Sequence, residues 1–183
     1  EDQESPKRCG HLDEKRAVPQ EAMVSRVRAA TDARTDDDFT IIARTDALAV
    51  TGWDDTMRRC EAYIKAGADV LFVEALRSAE EAERAAQTFD VPLLYNFVEM
   101  GKSPLIPVSE LERLGFKLVI FPVSALLTVA KTVGNLMLQL QEKGTTAHLT
   151  GNMVGLMECF ETVGFSEMLA QVDQFTEDST SVN

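Results

Sequence analysis

Hydrophobic and polar positions follow two periods along this chain. From residue 20 onward a helix-spaced stripe is repeatedly followed by a short unbroken apolar run that closes on a polar residue. Met23, Val24, Val27 and Ala30 form the first stripe, after Pro19, a residue suited to a first helical turn. The acidic run Asp36–Asp38 should end that helix as a solvated loop. "FTIIARTDA" then reads as a buried strand closing on Arg44 and Asp46. Asp54 and Asp55 open a second helix with the stripe Met57, Cys60, Ile64, stopped at Gly67. "VLFVEA" is a strand ending on Glu74, and Ser78 with Glu81 is a capping box for a third helix. "PLLYNFVE" carries Asn96, and Ser109 with Glu112 has the form of a second capping box before Gly115. "KLVIFPVS" precedes a long helix over residues 125–143, with Gly144 as its stop.

Strands alternating with helices imply parallel strands joined by crossovers. Continuous apolar runs fit strands covered on both faces. Arg44, Glu74, Asn96 and Pro122 follow one another at steps of 30, 22 and 26 residues, the size of a βα unit. Each polar residue closes its strand, the end that carries the active site in a (βα)8 barrel and the ligand in a doubly wound sheet. No G-x-G-x-x-G follows any strand, which favours the barrel. A closed barrel needs eight strands and about 250 residues. Only four clear strands, and the tail of a fifth ending at Glu1, are visible. The chain is therefore expected to be the C-terminal half or more of a barrel, over residues 1–144. A Thr-, Gly- and Asn-rich linker at 145–155 leads into a helical pattern at 156–175, and the last eight polar residues, 176–183, are expected to be a disordered tail.

Composition narrows the function. The 183 residues carry 18 Lys and Arg against 30 Asp and Glu, a net charge of −12. Such a surface repels nucleic acid and anionic membranes. No run approaches the ~18 apolar residues of a membrane span. Three cysteines, 51 and 99 residues apart, make no disulfide framework and suit a reducing cytoplasm. The first residue is not Met, so an N-terminal segment is expected to be missing and an organellar address stays open.

The opening stretch "EDQESPKRCGH" holds the most unusual chemistry. Cys9 stands among Lys7, Arg8 and His11, and nearby cations favour the thiolate. The competing reading is a small buried hydrophobe, but the polar neighbours make burial hard to arrange. Zinc is a poor alternative, because Cys9 and His11 supply two ligands and no second pair exists. Cys60 and Cys159 lie on apolar helices and read as core. Arg44, closing a buried strand, needs an anion: either Glu74 or Asp46, or a substrate carboxylate held in a bidentate fork. Glu74 and Asn96 share that ambiguity, and successive strands bring all three to one face. His148, in the linker, reads as a surface residue.

The segments "EDQ…PKRCGH", "IIARTDA", "FVEA" and "NFVEMGKSP", in this order and spacing, resemble the isocitrate lyase / phosphoenolpyruvate mutase superfamily, lyase branch, the group of methylisocitrate and dimethylmalate lyases. The likeness covers residues 1–165, and the K-[KR]-C-G-H loop is its most specific element. It implies a (βα)8 barrel with Mg²⁺, or Mn²⁺, at the C-terminal face. It also implies a last helix exchanged between subunits, giving dimers that pair into homotetramers. By the same likeness Cys9 is the catalytic acid/base on a mobile flap, with Lys7, Gly10 and His11 beside it. Arg44, Glu74 and Asn96 hold the substrate, and Glu1 reaches the metal through water. The family's main metal carboxylates lie in a D-x-D-x-G-Y-G stretch that this chain does not contain.

The implied reaction is retro-aldol cleavage of a 2-hydroxy (or 2-oxo) dicarboxylate to a 2-oxo acid and a carboxylate. Alternatives are methylisocitrate lyase proper, a phosphonate P–C mutase or hydrolase, and a non-catalytic truncated barrel. The mutases of the family have Asn where Cys9 stands. Relatives acting on tricarboxylates carry an arginine in an S-A-x-R pattern, where this chain has "SALL" and Leu127. A smaller substrate with two carboxylates is the expectation.

Overall fold

The computed structural model describes residues 1–180, with side chains through Phe175. The chain divides into two compact units, residues 1–127 and 128–183.

In the first unit, helices α1 (Gln20–Ala33), α2 (Trp53–Lys65), α3 (Ala79–Thr88) and α4 (Val108–Leu114) alternate with strands β1 (Ile42–Thr45), β2 (Val70–Val73), β3 (Leu93–Asn96) and β4 (Leu118–Ile120). The strands form one parallel sheet in chain order, as successive crossovers of one hand require. The register aligns Arg44 with Phe72, Phe72 with Leu94, and Leu94 with Leu118. Alternation divides the side chains between two faces. Ala43, Leu71, Val73, Leu93 and Tyr95 join the main core with Met23, Val27, Cys60, Tyr63, Ala82, Ala85 and Leu111 from the helices. Val70, Phe72 and Leu94 make a small cluster of their own on the opposite face. On that face the outer strands leave Ile42, Leu118 and Ile120 exposed, so only the central strands are covered on both sides.

The capping box at Ser78 is formed: its hydroxyl accepts from the Glu81 amide at 3.1 Å. The one expected at Ser109 is not. The helix begins a residue earlier, after Pro107, without a side-chain cap, and Ser109 falls inside the first turn. The strand predicted from Phe39 is shorter than its apolar run; Phe39 is exposed. Ala30 is also exposed, which narrows the α1 stripe to Met23, Val24 and Val27.

Helix α5 (Ser124–Lys143) opens at the Pro122–Val123 turn, as the pattern predicted. The second unit then has a short 3₁₀ turn (Ala147–Asn152) inside the expected linker, and helices α6 (Leu156–Glu161) and α7 (Phe165–Thr180). The single helix expected over 156–175 is broken at Gly164, whose φ is 73°. Helix α7 continues through Thr180, five residues into the segment expected as a disordered tail; residues 181–183 lie outside the described ones. Cys159 is exposed rather than in a core, whereas Cys60 is fully buried. Burial together with the neighbouring Asp2 and Glu61 charges pushes the Cys60 thiol up to about 12. His148 is on the surface as expected, its Nε2 3.2 Å from Gln139 Oε1. Among the described residues no helix is long and apolar enough to cross a membrane.

Candidate active site

The site is built at the C-terminal ends of β1, β2 and β3, where Arg44, Glu74 and Asn96 emerge as the sequence indicated. Glu74 is 1 % exposed and is the anionic centre of the cluster. Arg44 Nη2 lies 3.4 Å from Glu74 Oε2, and Asn96 Nδ2 donates to the same oxygen at 3.2 Å. A buried carboxylate needs such partners, since removing them would leave an uncompensated charge. Asn96 Oδ1 is buried without a hydrogen-bond partner, a polar atom still owed a donor.

Arg44 takes both structural partners offered for it, Asp46 and Glu74. Its Nε and Nη2 form a fork on Asp46 at 2.9 and 3.0 Å, and its guanidinium also sits 5.0 Å over the Phe72 ring. Burial alone would lower its pKa, but Asp46, Glu74 and Glu1 outweigh burial and raise it. The side chain is a fixed cation whose Nε and Nη2 face the three carboxylates.

A loop from Ser5 to Lys15 carries the Cys9 motif over this cluster. Its two feet are tied together: Gln3 bridges Ala17, the Glu4 amide donates to Arg16 O at 2.9 Å, and the Val18 amide donates to Asp2 O at 2.8 Å. Asp2 anchors the stem. It is fully buried and accepts from Thr45 Oγ1, the Asp46 amide and Tyr63 Oη at 2.7–2.8 Å. Arg59 adds a countercharge at 3.4 Å. Burial, then the Asp2 charge, raises the Tyr63 phenol well above its ordinary value.

At the loop's centre Gly10 is pressed into the cluster. A Cβ there would stand 2.3 Å from Glu74 Cγ and 2.6 Å from Arg44 Nη2. Its carbonyl accepts from Lys15 Nζ, and Lys15 is only 8 % exposed. Burial lowers the Lys15 pKa, with Lys102 and Arg44 adding to it against Asp46 and Glu74. His11 Nε2 lies 2.9 Å from Glu74 Oε1, and its Nδ1 accepts from the Lys102 amide at 2.9 Å.

The basic residues flanking the thiol are each paired with a carboxylate. Lys7 turns to Glu1 at 2.9 Å, Arg8 to Glu14 at 2.7 Å and His11 to Glu74, while Cys9 itself is exposed. Short loops have no period, so adjacency in sequence says little about which side chains turn inward. Gly10, His11, Arg44, Glu74 and Asn96 are thus gathered, Cys9 and Lys7 stand at the outer side, and Lys15, Asp46, Asp2 and Lys102 join without having been singled out as site residues.

Glu1 is placed beside the cluster but is paired, with Lys7 at 2.9 Å and with Arg44 at 3.4 Å. Among the described residues no group of three or more His, Cys, Asp or Glu is arranged to hold a metal ion. These residues do not make a metal site by themselves.

The phosphoenolpyruvate phosphomutase family pattern matches residues 1–141. The chain belongs to the PEP mutase family. It is 38% identical over 173 residues to the 2-methylisocitrate lyase of Salmonella typhimurium, across 94% of this chain and 59% of that protein. Among solved structures it resembles 2,3-dimethylmalate lyase, with TM-score 0.86, 36% identity, and 94% of this chain on 58% of that one. Oxaloacetate acetylhydrolase in complex with 3,3-difluorooxalacetate gives TM-score 0.86 at 35% identity, with 96% of this chain on 59% of that one. Phosphonopyruvate hydrolase, solved with oxalate and Mg++, gives TM-score 0.77 at 26% identity, with 92% of this chain on 59% of that one. The chain therefore spans 58–59% of the length of these PEP mutase family members. The parallel βα units are those of the family fold.

Proposed function

We propose that the protein to which this chain belongs is a carbon–carbon lyase that cleaves a 2-hydroxy or 2-oxo dicarboxylate by a retro-aldol type reaction. The observation that carries this reading is the convergence of Arg44, Glu74, Asn96, His11 and the Gly10 backbone at one end of the sheet. Arg44, its Nε and Nη2 held by Asp46, offers Nη1 to a substrate carboxylate. Asn96 and Glu74 orient the polar groups near the bond to be broken. A general base takes the 2-hydroxyl proton of the hydroxy acid, or of the hydrated oxo acid, and the new carbonyl forms as the C–C bond breaks. The bonding electrons go to the carbon next to the departing carboxylate, giving an enolate. Cys9, exposed on its loop in this structure, delivers a proton to that carbon once the loop seats over the substrate, with Lys7 on the same loop. Gly10 permits the approach, because any side chain there collides with Glu74 and Arg44.

Phosphonopyruvate hydrolase, solved with Mg++, supports a divalent metal in this family. We assign Glu1 to the metal's periphery, with the principal carboxylates supplied from outside residues 1–183. The steps above are those of this chain's own side chains. A homo-oligomer is supported by the second unit, where Val133, Met137, Leu140, Met168, Leu169 and Val172 are exposed apolar residues on α5 and α7. A cytoplasmic location agrees with free cysteines and an acidic surface.

The second reading is P–C bond chemistry, favoured by the name of the family pattern itself. Turnover of 2,3-dimethylmalate, oxaloacetate, methylisocitrate and phosphonopyruvate by the full-length protein separates the two. Cleavage of a dicarboxylate, with Cys9→Ser lowering kcat far more than it raises KM, is the expected result, because the thiol acts on the developing carbanion. Turnover of phosphonopyruvate alone, or wild-type kcat in Cys9→Ser, rejects the lyase assignment.

A further inference from the structure

A second loop, residues 98–103, closes on the Cys9 loop from across the sheet. Three contacts join them. The Lys102 amide donates to His11 Nδ1 at 2.9 Å. Lys102 Nζ pairs with the Asp13 carboxylate. Gly101 faces the imidazole so closely that a Cβ would stand 2.6 Å from His11 Nδ1 and 3.0 Å from Cε1. These partners are about ninety residues apart in sequence, so the contacts exist only when both loops are in place.

The chemistry of the first contact is specific. An imidazole nitrogen that accepts a hydrogen bond carries no proton, so the neutral ring has its proton on Nε2. That nitrogen lies 2.9 Å from Glu74 Oε1, the buried anion of the site. The Lys102 amide thereby sets which nitrogen of His11 carries the proton and faces Glu74. With Nδ1 held by the amide and Nε2 set against Glu74 at ion-pair distance without a hydrogen bond, the ring's place constrains the backbone that carries Cys9 and Gly10. Lys15, which holds the Gly10 carbonyl, secures the other side of the same turn.

We propose that Gly101 and Lys102 are positioning residues for the Cys9 loop: the 98–103 loop clamps His11 in the Nε2–H tautomer through a backbone amide and tethers Asp13 through an ammonium. Gly101 supplies the space the ring needs, and Lys102 supplies one contact from its backbone and one from its side chain. Neither residue touches the reacting atoms. The clamp concerns where Cys9 is held and stands whatever bond the protein breaks.

The two halves of the clamp are separable. Any side chain at 102 keeps the amide, so Lys102→Asp removes only the tether and sets two carboxylates against each other. Gly101→Ala attacks only the seat of the ring. Hydrogen exchange of the full-length protein, read by mass spectrometry on peptides spanning 6–14, reports loop opening. Protection there rests on the Arg8 amide bond to Gln3 Oε1 and the Leu12 amide bond to Cys9 O, both 2.9 Å. Lys102→Asp and Asp13→Lys singly should each speed exchange in 6–14 about two- to fivefold, the range of an exposed ion pair, and the double variant should return it to the wild-type rate. Gly101→Ala should speed it roughly tenfold or more, since the ring must move. It should also shift the ¹⁵N spectrum of His11 away from the Nε2–H tautomer. If the three single variants leave exchange of 6–14 unchanged, or the charge swap fails to restore it, the clamp is overturned. Because the swap alters only side chains at the mouth of the loops, it decides the matter even if Gly101→Ala misfolds.

Discussion

Gly10 and Glu74 touch backbone to side chain: a methyl group added at Gly10 would stand 2.3 Å from Glu74 Cγ and 2.5 Å from its Cδ. Glu74 cannot retreat, because it is buried and bonded to Asn96, with Arg44 and His11 against it. Gly10→Ala should therefore lift the loop rather than move the carboxylate. We expect a loss of kcat/KM of at least about a hundredfold, the cost of ~3 kcal/mol of overpacking. The melting temperature should change little, since the loop adds few apolar contacts to the core. Steady-state kinetics and a thermal melt on the same preparation test both halves of this expectation.

The pH response of the loop follows from His11. Burial lowers its pKa first; Lys15, Arg44 and Lys102 lower it further, and Glu74 opposes them. The folded value thus lies below the unfolded one of about 6.5. The unfolded or opened chain takes up the proton first, so stability gained from neutral His11 is full above about pH 6.5 and is lost as pH falls through the folded value. Protonation also places a hydrogen on Nδ1, where the Lys102 amide now donates. We expect His11→Gln, which is neutral throughout, to flatten the fall in protection of residues 6–14 between pH 7.5 and 5. A wild-type profile independent of pH over that range would contradict this.

Leu127 sets the expected breadth of substrate. It lies in the first turn of α5, its amide bonded to Val123 O at 2.8 Å. A leucine offers no fork to a third carboxylate, and the sequence has no arginine after Arg113. Each lost charged hydrogen bond costs about 1.5–3 kcal/mol. The full-length protein should therefore prefer 2,3-dimethylmalate to methylisocitrate by roughly ten- to a hundredfold in kcat/KM. Leu127→Arg should narrow or invert that ratio.

The sheet of the first unit ends on both sides in strands with exposed inner-face residues: Ile42 on β1, Leu118 and Ile120 on β4, with Phe121 just beyond. Such edges associate. Residues 1–183 expressed alone should elute as oligomers or aggregates and bind a hydrophobic dye. A sharp two-state melt of a monomer by light scattering is the contrary result.

How far these features were legible in the sequence depends on periodicity. Arg44, Glu74 and Asn96 close apolar runs, so the strand pattern alone gave them a common face. The close approach at Gly10 was readable from the motif. Lys15 and Lys102 were not, because they lie in loops, where no repeat separates an inward side chain from an outward one. Asp2 was hidden beside Glu1: both are carboxylates, yet Asp2 is fully buried under Tyr63 and Thr45 while Glu1 faces two cations. Cys159 and the Ser109 cap misled for a related reason. Local pattern identified a helix in each case, but exposure and the starting residue were set by neighbours outside the window.

The paired feet of the Cys9 loop carry one more implication. Gln3 meets Ala17 and Asp2 meets Val18, so the chain leaves the sheet and returns to it at nearly the same point. Everything between is a detachable head on a fixed neck. The neck is held by Asp2, Thr45, Tyr63 and Arg59, none of which belongs to the head. Residues 5–15 can therefore be exchanged for another sequence of similar span without disturbing strand order or core. In that arrangement the sheet carries the stability and the head is left to vary in sequence.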